Sequence, residues 1–490
     1  ATARHADVTP GGVELRDVDE DAYMILRDYQ ERDLDAVRAA FREHRAVLRV
    51  QPTGSGKGTI ASYIVQSATA KGRRTLFTVG RRALVHDMAG RLERLGIRFG
   101  VIMGTDPRRD DTLPVQVASI DTLRRRETLP LADLIVVDEA HGAVSPGYKA
   151  VLDRYPAARI LGLTATPIRT EGRGLGEVFD AMVVGPSVET LISQGWLVPS
   201  QTFAGPIPDV SRVDSTAGDF NQRQLAEVCD RKNLVGDIVK TWQRLASDRK
   251  TVSFGVNQKH AQHIAESFRS AGVECAYVDA DTPDDERARI WKDLDFGGLR
   301  VVSSVGVVSL GWDHPIVSCC ILARPTESKQ LHLQQLGRGC RPYPGKSSLR
   351  ALDHAGNTHR HGFYEEPREW TLSGLTVRTP AVGDIIVSIT TCRRCFGTFR
   401  ANVDTCPYCG APVQRQVRRI MVEPGQLEEM QRVAKAAAIE NWRDRVTDDE
   451  KRAKYREFQA IAAARGYKQS WPMVRFKTVY GSWPGREVRI

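Results

Sequence analysis

Between residues 26 and 199 short apolar, β-branched runs alternate with amphipathic stretches of helical period. The runs are AVLRV (46–50), TLFTV (75–79), PVQVAS (114–119), LIVVDE (134–139) and RILGLTA (159–165). Runs with little polar interruption fit strands buried on both faces, as in a parallel sheet covered by helices. The pattern recurs after residue 204 in TVSFGV (251–256), CAYVDA (275–280), LRVVSSV (299–305) and VSCCILA (317–323). It predicts two α/β domains in tandem, 26–203 and 204–377, joined where prolines gather at 198–208. Near residue 378 the texture changes. A cysteine-bearing segment (378–415) is followed by a basic segment (416–490) with helical pattern at 423–445 and 448–466. Residues 1–25 form a polar N-terminal extension.

Composition narrows the class. Of 490 residues 41% are hydrophobic and 27% charged, the balance of a globular chain rather than a disordered one. No run is apolar enough to span a bilayer, and the acidic N-terminus does not read as a signal peptide. A cytoplasmic location, bacterial or in the host of a phage, and no membrane partner are therefore expected. The net charge is +10, and residues 379–490 carry 20 Lys/Arg against 12 Asp/Glu, a surplus of 8. Such a surface suits nucleic acid, or is a solvated basic face. Nine cysteines in such a chain argue against a disulfide framework. Cys229, Cys275, Cys319, Cys320 and Cys340 are scattered and read as small core residues.

Two segments carry chemistry. QPTGSGKGT (51–59) lies between an apolar run and a helical one, the setting of a phosphate cradle. Thr53, Gly54, Ser55 and Gly56 would turn backbone N–H groups toward phosphates at a helix N-terminus, and Lys57 would reach the β- and γ-phosphates. Gly58 stands where a Ser or Thr usually ligates Mg²⁺. Either Thr59 takes that place with a shifted helix start, or water completes the metal shell. LIVVDEAH (134–141) is a buried strand ending in two carboxylates and a histidine. There Asp138 would hold Mg²⁺ and Glu139 polarise the attacking water. His141 would relay nucleotide state to the next domain. Lys57 and Glu139 stand 82 positions apart within one α/β unit, and together they point to ATP hydrolysis.

These residues resemble motifs I and II of superfamily 2 helicases in their DEAH-box spelling, and further motifs follow in the family's order. The resemblance implies two RecA-like domains. LRDYQ (26–30) resembles the adenine-reading segment, with Arg27 and Gln30 as base contacts. LTATP (163–167) resembles the coupling motif, acting through Thr164 and Thr166. In SSVGVVSLGWDHP (303–315) Gly311 and Asp313 would face the nucleotide. QQLGRGCRP (334–342) supplies Gln334, Arg338 and Arg341. An arginine finger must come from a surface that moves relative to the ATP site, and Arg341 is the expected finger, with Arg338 a second γ-phosphate contact. Residues 163–199, 337–362 and 466–484 resemble the RadD-like branch and its phage-encoded relatives. Gly58 departs from that pattern, as does GRR (80–82), where relatives place a His-Arg pair.

CRRC (392–395) and CPYC (406–409) are separated by ten residues. Cys392, Cys395, Cys406 and Cys409 offer four thiolates for a closed structural Zn²⁺ site, with a redox dithiol as the alternative. Farther on, Trp471, Phe476, Tyr480 and Trp483 alternate with Arg475, Lys477 and Arg486. Packing of a small helical domain against the zinc module is the favoured reading of these aromatics, base stacking the other.

The sequence thus predicts an ATP-dependent translocase or helicase acting on DNA, single-stranded or branched, in repair or replication. It would act as a monomer, with replication or repair proteins as partners, low sequence specificity and strong salt dependence. An ATP-gated sensor or clamp with weak turnover, and the same motor on RNA, are the alternatives.

Overall fold

The first strand, Ala46–Val50 (β1), is buried along its whole length, including the Arg49 side chain, so both sheet faces are covered. This computed structural model describes residues 26–169, 174–204, 207–216, 218–306, 314–374, 389–413, 447–464, 469–480 and 482–489. The N-terminal extension, Gly311, Asp313 and the helical stretch expected at 423–445 lie outside the described residues.

β1 is joined by Thr75–Val79 (β2), Gly100–Ile102 (β3), Val115–Ser119 (β4), Leu134–Asp138 (β5), Arg159–Thr164 (β6) and Ala181–Val184 (β7). They form one parallel sheet in the order β3-β4-β2-β5-β6-β1-β7. Val50 pairs with Thr164, and Asp138 with Leu163, so the C-terminal ends of β1, β5 and β6 lie side by side. In an open α/β sheet that is where ligands bind.

The second sheet is also parallel. It contains Ser200–Ala204 (β8), Thr251–Phe254 (β11), Cys275–Val278 (β12), Val301–Ser304 (β13), Cys319–Leu322 (β14) and Leu349–Asp353 (β15), in the order β12-β13-β11-β14-β15-β8. Between β8 and β11 lies a small antiparallel pair, Ser215–Thr216 (β9) and Asp219–Phe220 (β10). β8 starts at Ser200, so the chain crosses to the second sheet a few residues before the boundary expected at 203/204. The apolar half of that strand, Phe203 and Ala204, finds its cover there. Tyr29, Leu191 and Leu197 from the first half share one apolar cluster with Val252, Val302 and Leu336 of the second. The five scattered cysteines are all buried, as expected of core residues.

The cysteine segment forms the hairpin Ile389–Thr391 (β16) and Thr398–Arg400 (β17). It covers the edge strand β8 through an antiparallel bridge between Phe203 and Gly397, and the Ala204 amide donates to the Phe396 carbonyl at 3.0 Å. An edge paired in this way no longer offers free backbone groups to other chains.

Residues 416–490 form a separate compact unit. Its described part consists of helices Asp448–Ala464, Trp471–Tyr480 and Arg486–Arg489 around Tyr455, Phe458, Phe476 and Val488. Trp471 and Tyr480 pack against that core. Trp483 does not: it is 53% exposed, with the Lys477 ammonium 4.5 Å from its ring centre. Trp483→Ala should therefore cost under about 1 kcal/mol of stability, against about 3–5 kcal/mol for Phe476→Ala. Thermal melting of the two variants checks this, and equal losses would contradict it.

Candidate active site

β1 ends at Val50, the buried Gln51 follows, and the chain turns through residues 52–56 into helix Lys57–Ala70. Gly54 and Gly56 hold left-handed backbone, at φ 88° and 84°, which a side chain would strain. The loop is tied from three sides. The Ser55 carbonyl accepts from Gln51 Nε2 and from the Tyr29 hydroxyl, both at 2.7 Å. Arg49 donates to Gln51 and to Asp33, so a buried ion pair braces the loop from below. From the second half, the Tyr364 hydroxyl donates to the Thr53 carbonyl at 2.8 Å. Helix Lys329–Gly339 presses directly on the turn, where a Cβ on Gly54 would lie 2.7 Å from the Gly337 carbonyl oxygen.

Beside the loop, β5 delivers Asp138 and Glu139. Glu139 is one of two described non-glycine residues with positive φ, at φ 50° and ψ 52°. Such strain is costly and is found where a side chain must be aimed. The Glu139 amide donates to Asp138 Oδ1 at 2.9 Å. Gln334 Nε2 reaches Glu139 Oε2 at 3.4 Å, and His141 Nδ1 lies 3.4 Å from the same oxygen. Gln330 places its Nε2 2.9 Å from His141 Nε2. His141 is thus linked to the second sheet's helix through Gln330, which the sequence reading did not single out. Gln330 precedes Gln334 by four positions, and so shares its helix face.

Both sheets contribute to one cavity of about 290 Å³. Arg27, Thr53, Gly54, Gly56, Lys57, Gly58, Thr59, Asp138 and Glu139 line it from the first half, and Gln334, Arg338 and Arg341 from the second. Gln30 and Ser55 do not line it. Gln30 is buried behind the loop, its Oε1 accepting from the Arg27 amide at 3.0 Å. Arg27 stacks on Trp196, 4.1 Å from the ring centre, and donates to the Tyr29 hydroxyl at 3.1 Å. Thr164 and Thr166 are buried behind the site, the Thr164 hydroxyl donating to the Thr166 carbonyl at 2.9 Å. Asp87 and Arg91, from helix Arg82–Arg94, also line the cavity. No motif marked them; the only signal is their spacing of four within a helix.

The lining carries five cationic side chains, Arg27, Lys57, Arg91, Arg338 and Arg341, against Asp87, Asp138 and Glu139. The net surplus suits a multiply charged anion. Burial lowers the pKa values of Lys57, Arg338 and Arg341, while Glu139 pulls those of Lys57 and Arg338 back up. Burial, and then Glu139, raises Asp138 above the usual carboxylate range. Burial acts the same way on Glu139, but the His141 hydrogen bond and Lys57 outweigh it and hold Glu139 low. An acidic group whose ionisation is opposed by burial and by its neighbour is one that a divalent cation would relieve, so Asp138 fits an Mg²⁺ ligand.

The four paired cysteines converge as well. Cys392 and Cys409 bring their sulfurs to 3.7 Å, Cys395 and Cys406 to 3.6 Å, and all four lie within 4.8 Å of one another. Tetrahedral zinc–thiolate bonds of about 2.3 Å place sulfurs about 3.8 Å apart. The Arg394 amide donates to the Cys392 sulfur and the Gly397 amide to that of Cys395, each at 3.4 Å. In the second knuckle Gly410 is left-handed, at φ 68°, and in the first Phe396 is, at φ 63°. Gly397 is needed for another reason: a Cβ there would come within 2.2 Å of the Tyr408 ring.

A phosphate loop on one parallel sheet, facing arginines from a second, defines the class of two-domain ATPases that work by opening and closing a cleft. Residues 23–169 match the family described as the res subunit of type III restriction enzymes, and residues 232–342 the helicase conserved C-terminal domain. The chain belongs to helicase superfamily 2. It is 31% identical over 319 residues to a 51.5 kDa protein of a Lactococcus phage, covering 65% of this chain and 68% of the phage protein. It is 30% identical over 355 residues to IRC3 of Saccharomyces cerevisiae, which is named as an ATP-dependent helicase; 68% of this chain and 52% of IRC3 are covered. The DNA 3'-5' translocase XPB2 of Sulfurisphaera tokodaii is 25% identical over 356 residues, covering 64% of this chain and 78% of its own. The chain thus spans about half to two thirds of the first two. Among the described residues no helix is long and apolar enough to cross a membrane.

Proposed function

We propose that this chain hydrolyses ATP to move along DNA, with single-stranded or branched repair and replication intermediates as its substrates. The observation that carries the reading is the convergence of Lys57 and Glu139 from one sheet with Arg338 and Arg341 from the other on a single cavity. Lys57 and the loop amides hold the phosphates. Mg²⁺ held by Asp138 would neutralise charge on the β- and γ-oxygens. Glu139 polarises the attacking water, and Gln334 and His141 orient it. Arg338 and Arg341 bear on the γ-phosphate only when the cleft is closed, so hydrolysis and release weaken the hold between the domains. Arg27, stacked on Trp196, borders the base side, and Gln30, expected as a second base contact, acts from behind the loop through the Arg27 amide. Gly311 and Asp313, which lie outside the described residues, would face the nucleotide by the resemblance of their motif alone. DNA rather than RNA is supported by the likeness to the DNA translocase XPB2 and by the match to the res subunit of type III restriction enzymes.

Steady-state ATPase with no nucleic acid, single-stranded DNA, forked DNA and matched RNA tests this. Strong stimulation by one DNA form supports the motor; stimulation by RNA alone would move the track to RNA. A second reading, a sensor that binds ATP and turns over little, draws on Gly58. Nucleotide binding without turnover on any track would favour it.

The four-cysteine module is proposed as a structural zinc site whose Cys392, Cys395, Cys406 and Cys409 leave no open position for substrate. Bound zinc would hold the two knuckles together where core is scarce. One zinc per chain is expected by atomic absorption. Cys406→Ser should lose it and lower the melting temperature. A metal-free protein of unchanged stability would sink the idea.

A further inference from the structure

Gly58 has a neighbour that accounts for its missing side chain. A Cβ built at this position would lie 2.9 Å from Cζ, 3.0 Å from Nη1 and 3.2 Å from Nε of Arg91. The guanidinium therefore fills the space beside the phosphate-loop helix that a Ser or Thr at this position would take. Arg91 comes from helix Arg82–Arg94, where Asp87, one turn earlier, accepts from its Nε at 3.1 Å. Both residues line the cavity. Across the cleft stands Arg341. Burial, and next the charge of Arg91, lowers its pKa, and both guanidinium groups line the one cavity. Asp87 partly offsets that repulsion; a polyanion between the two would reverse it.

We propose that Arg91 is a phosphate-binding residue of the nucleotide site, admitted by Gly58 and standing where a metal-ligating hydroxyl would otherwise be. The assignment rests on the ATP reading above. It replaces one hydroxyl oxygen on the metal with a fixed cation on the phosphates. A guanidinium brings planar donors matched to phosphate oxygens and stays charged at any working pH. Part of the charge neutralisation that Mg²⁺ supplies elsewhere then comes from the protein, and nucleotide binding depends less on the metal. The plain alternative is a helical Asp87–Arg91 ion pair that merely borders the cavity. Such pairs contribute little.

The test is titration of a fluorescent non-hydrolysable ATP analogue into the full chain, with Mg²⁺ and with EDTA. Melting temperature serves as the fold control. Arg91→Ala is expected to weaken binding about tenfold with Mg²⁺, which is about 1.4 kcal/mol, and by a larger factor in EDTA. Gly58→Ser displaces only the far end of a flexible side chain, so the protein folds and the EDTA affinity drops similarly. Adding Arg91→Ala to Gly58→Ser then costs little more, because both changes remove the same contact. Arg91→Gln, which keeps much of the side chain's bulk, should show the loss should the alanine variant not fold. Binding within twofold of wild type for Arg91→Gln in both buffers, while Lys57→Ala abolishes it, overturns the assignment. Binding that Lys57→Ala also leaves unchanged overturns the ATP reading itself.

Discussion

Glu139→Gln is expected to lower the ATPase rate by about 10²–10⁴-fold while nucleotide still binds. The effect is large because three features of the site bear on that one carboxylate. Its backbone is held left-handed at φ 50°, which directs the side chain away from the strand and toward the cavity. His141 and Lys57 keep it ionised against the pull of burial, so it is a proton acceptor at neutral pH. Gln334 reaches it from the other domain, so the carboxylate is also where closure is sensed. Glutamine preserves size and that contact but accepts no proton. Removing a buried negative charge beside Asp138 should if anything favour the incoming polyphosphate. Steady-state hydrolysis and analogue binding, measured on the same preparation, check both halves. A variant within tenfold of wild type would take Glu139 out of the chemistry.

The features legible in the sequence are those that local pattern encodes. The two parallel sheets can be read because strands buried on both faces need apolar runs such as AVLRV and VSCCILA. The phosphate loop and the acidic strand end are spelled by contiguous residues whose spacing the backbone dictates. Pairing across the fold is not spelled in this way. Tyr364 and Thr53 are 311 positions apart and meet only because the second sheet's helix lies on the loop. Gln330 is an ordinary helix residue until His141 is placed opposite it. Arg91 reads as half of an exposed helical ion pair, and only the gap at Gly58 gives its direction a meaning. The boundary expected at 203/204 follows the proline cluster, whereas the sheet that Ser200–Ala204 joins is decided by β15, 149 positions later at Leu349↔Ser200. Gly397 leaves room for the Tyr408 ring, eleven positions on, which the spacing of the cysteines does not reveal. In each case the missing information is a partner distant in sequence.

Arg341→Ala is expected to reduce turnover by about 10³-fold or more, the loss found when an arginine that stabilises charge on a transferring phosphoryl group is removed. Arg341 follows helix Lys329–Gly339, and its Cγ would lie 3.3 Å from a Cβ on Gly54, against the phosphate loop. Arg338, on the same helix, is drawn first to Glu139 and then to Asp87 and Asp138. Arg341 instead faces Arg91 and Asp87. Arg338 is thus coupled chiefly to the water-activating carboxylate, and Arg341 chiefly to a second cation. Arg341→Lys should recover little, since a point charge cannot reproduce a planar fork of donors. Stability should hold, because the domains stay joined through the Tyr364–Thr53 bond and the apolar cluster around Tyr29 and Leu336. The discriminating measurement is kcat against analogue affinity. A fall in kcat at nearly constant affinity marks a contact made in the transition state. An equal fall in affinity would mean that Arg341 holds ground-state ATP, and the finger role would pass to Arg338.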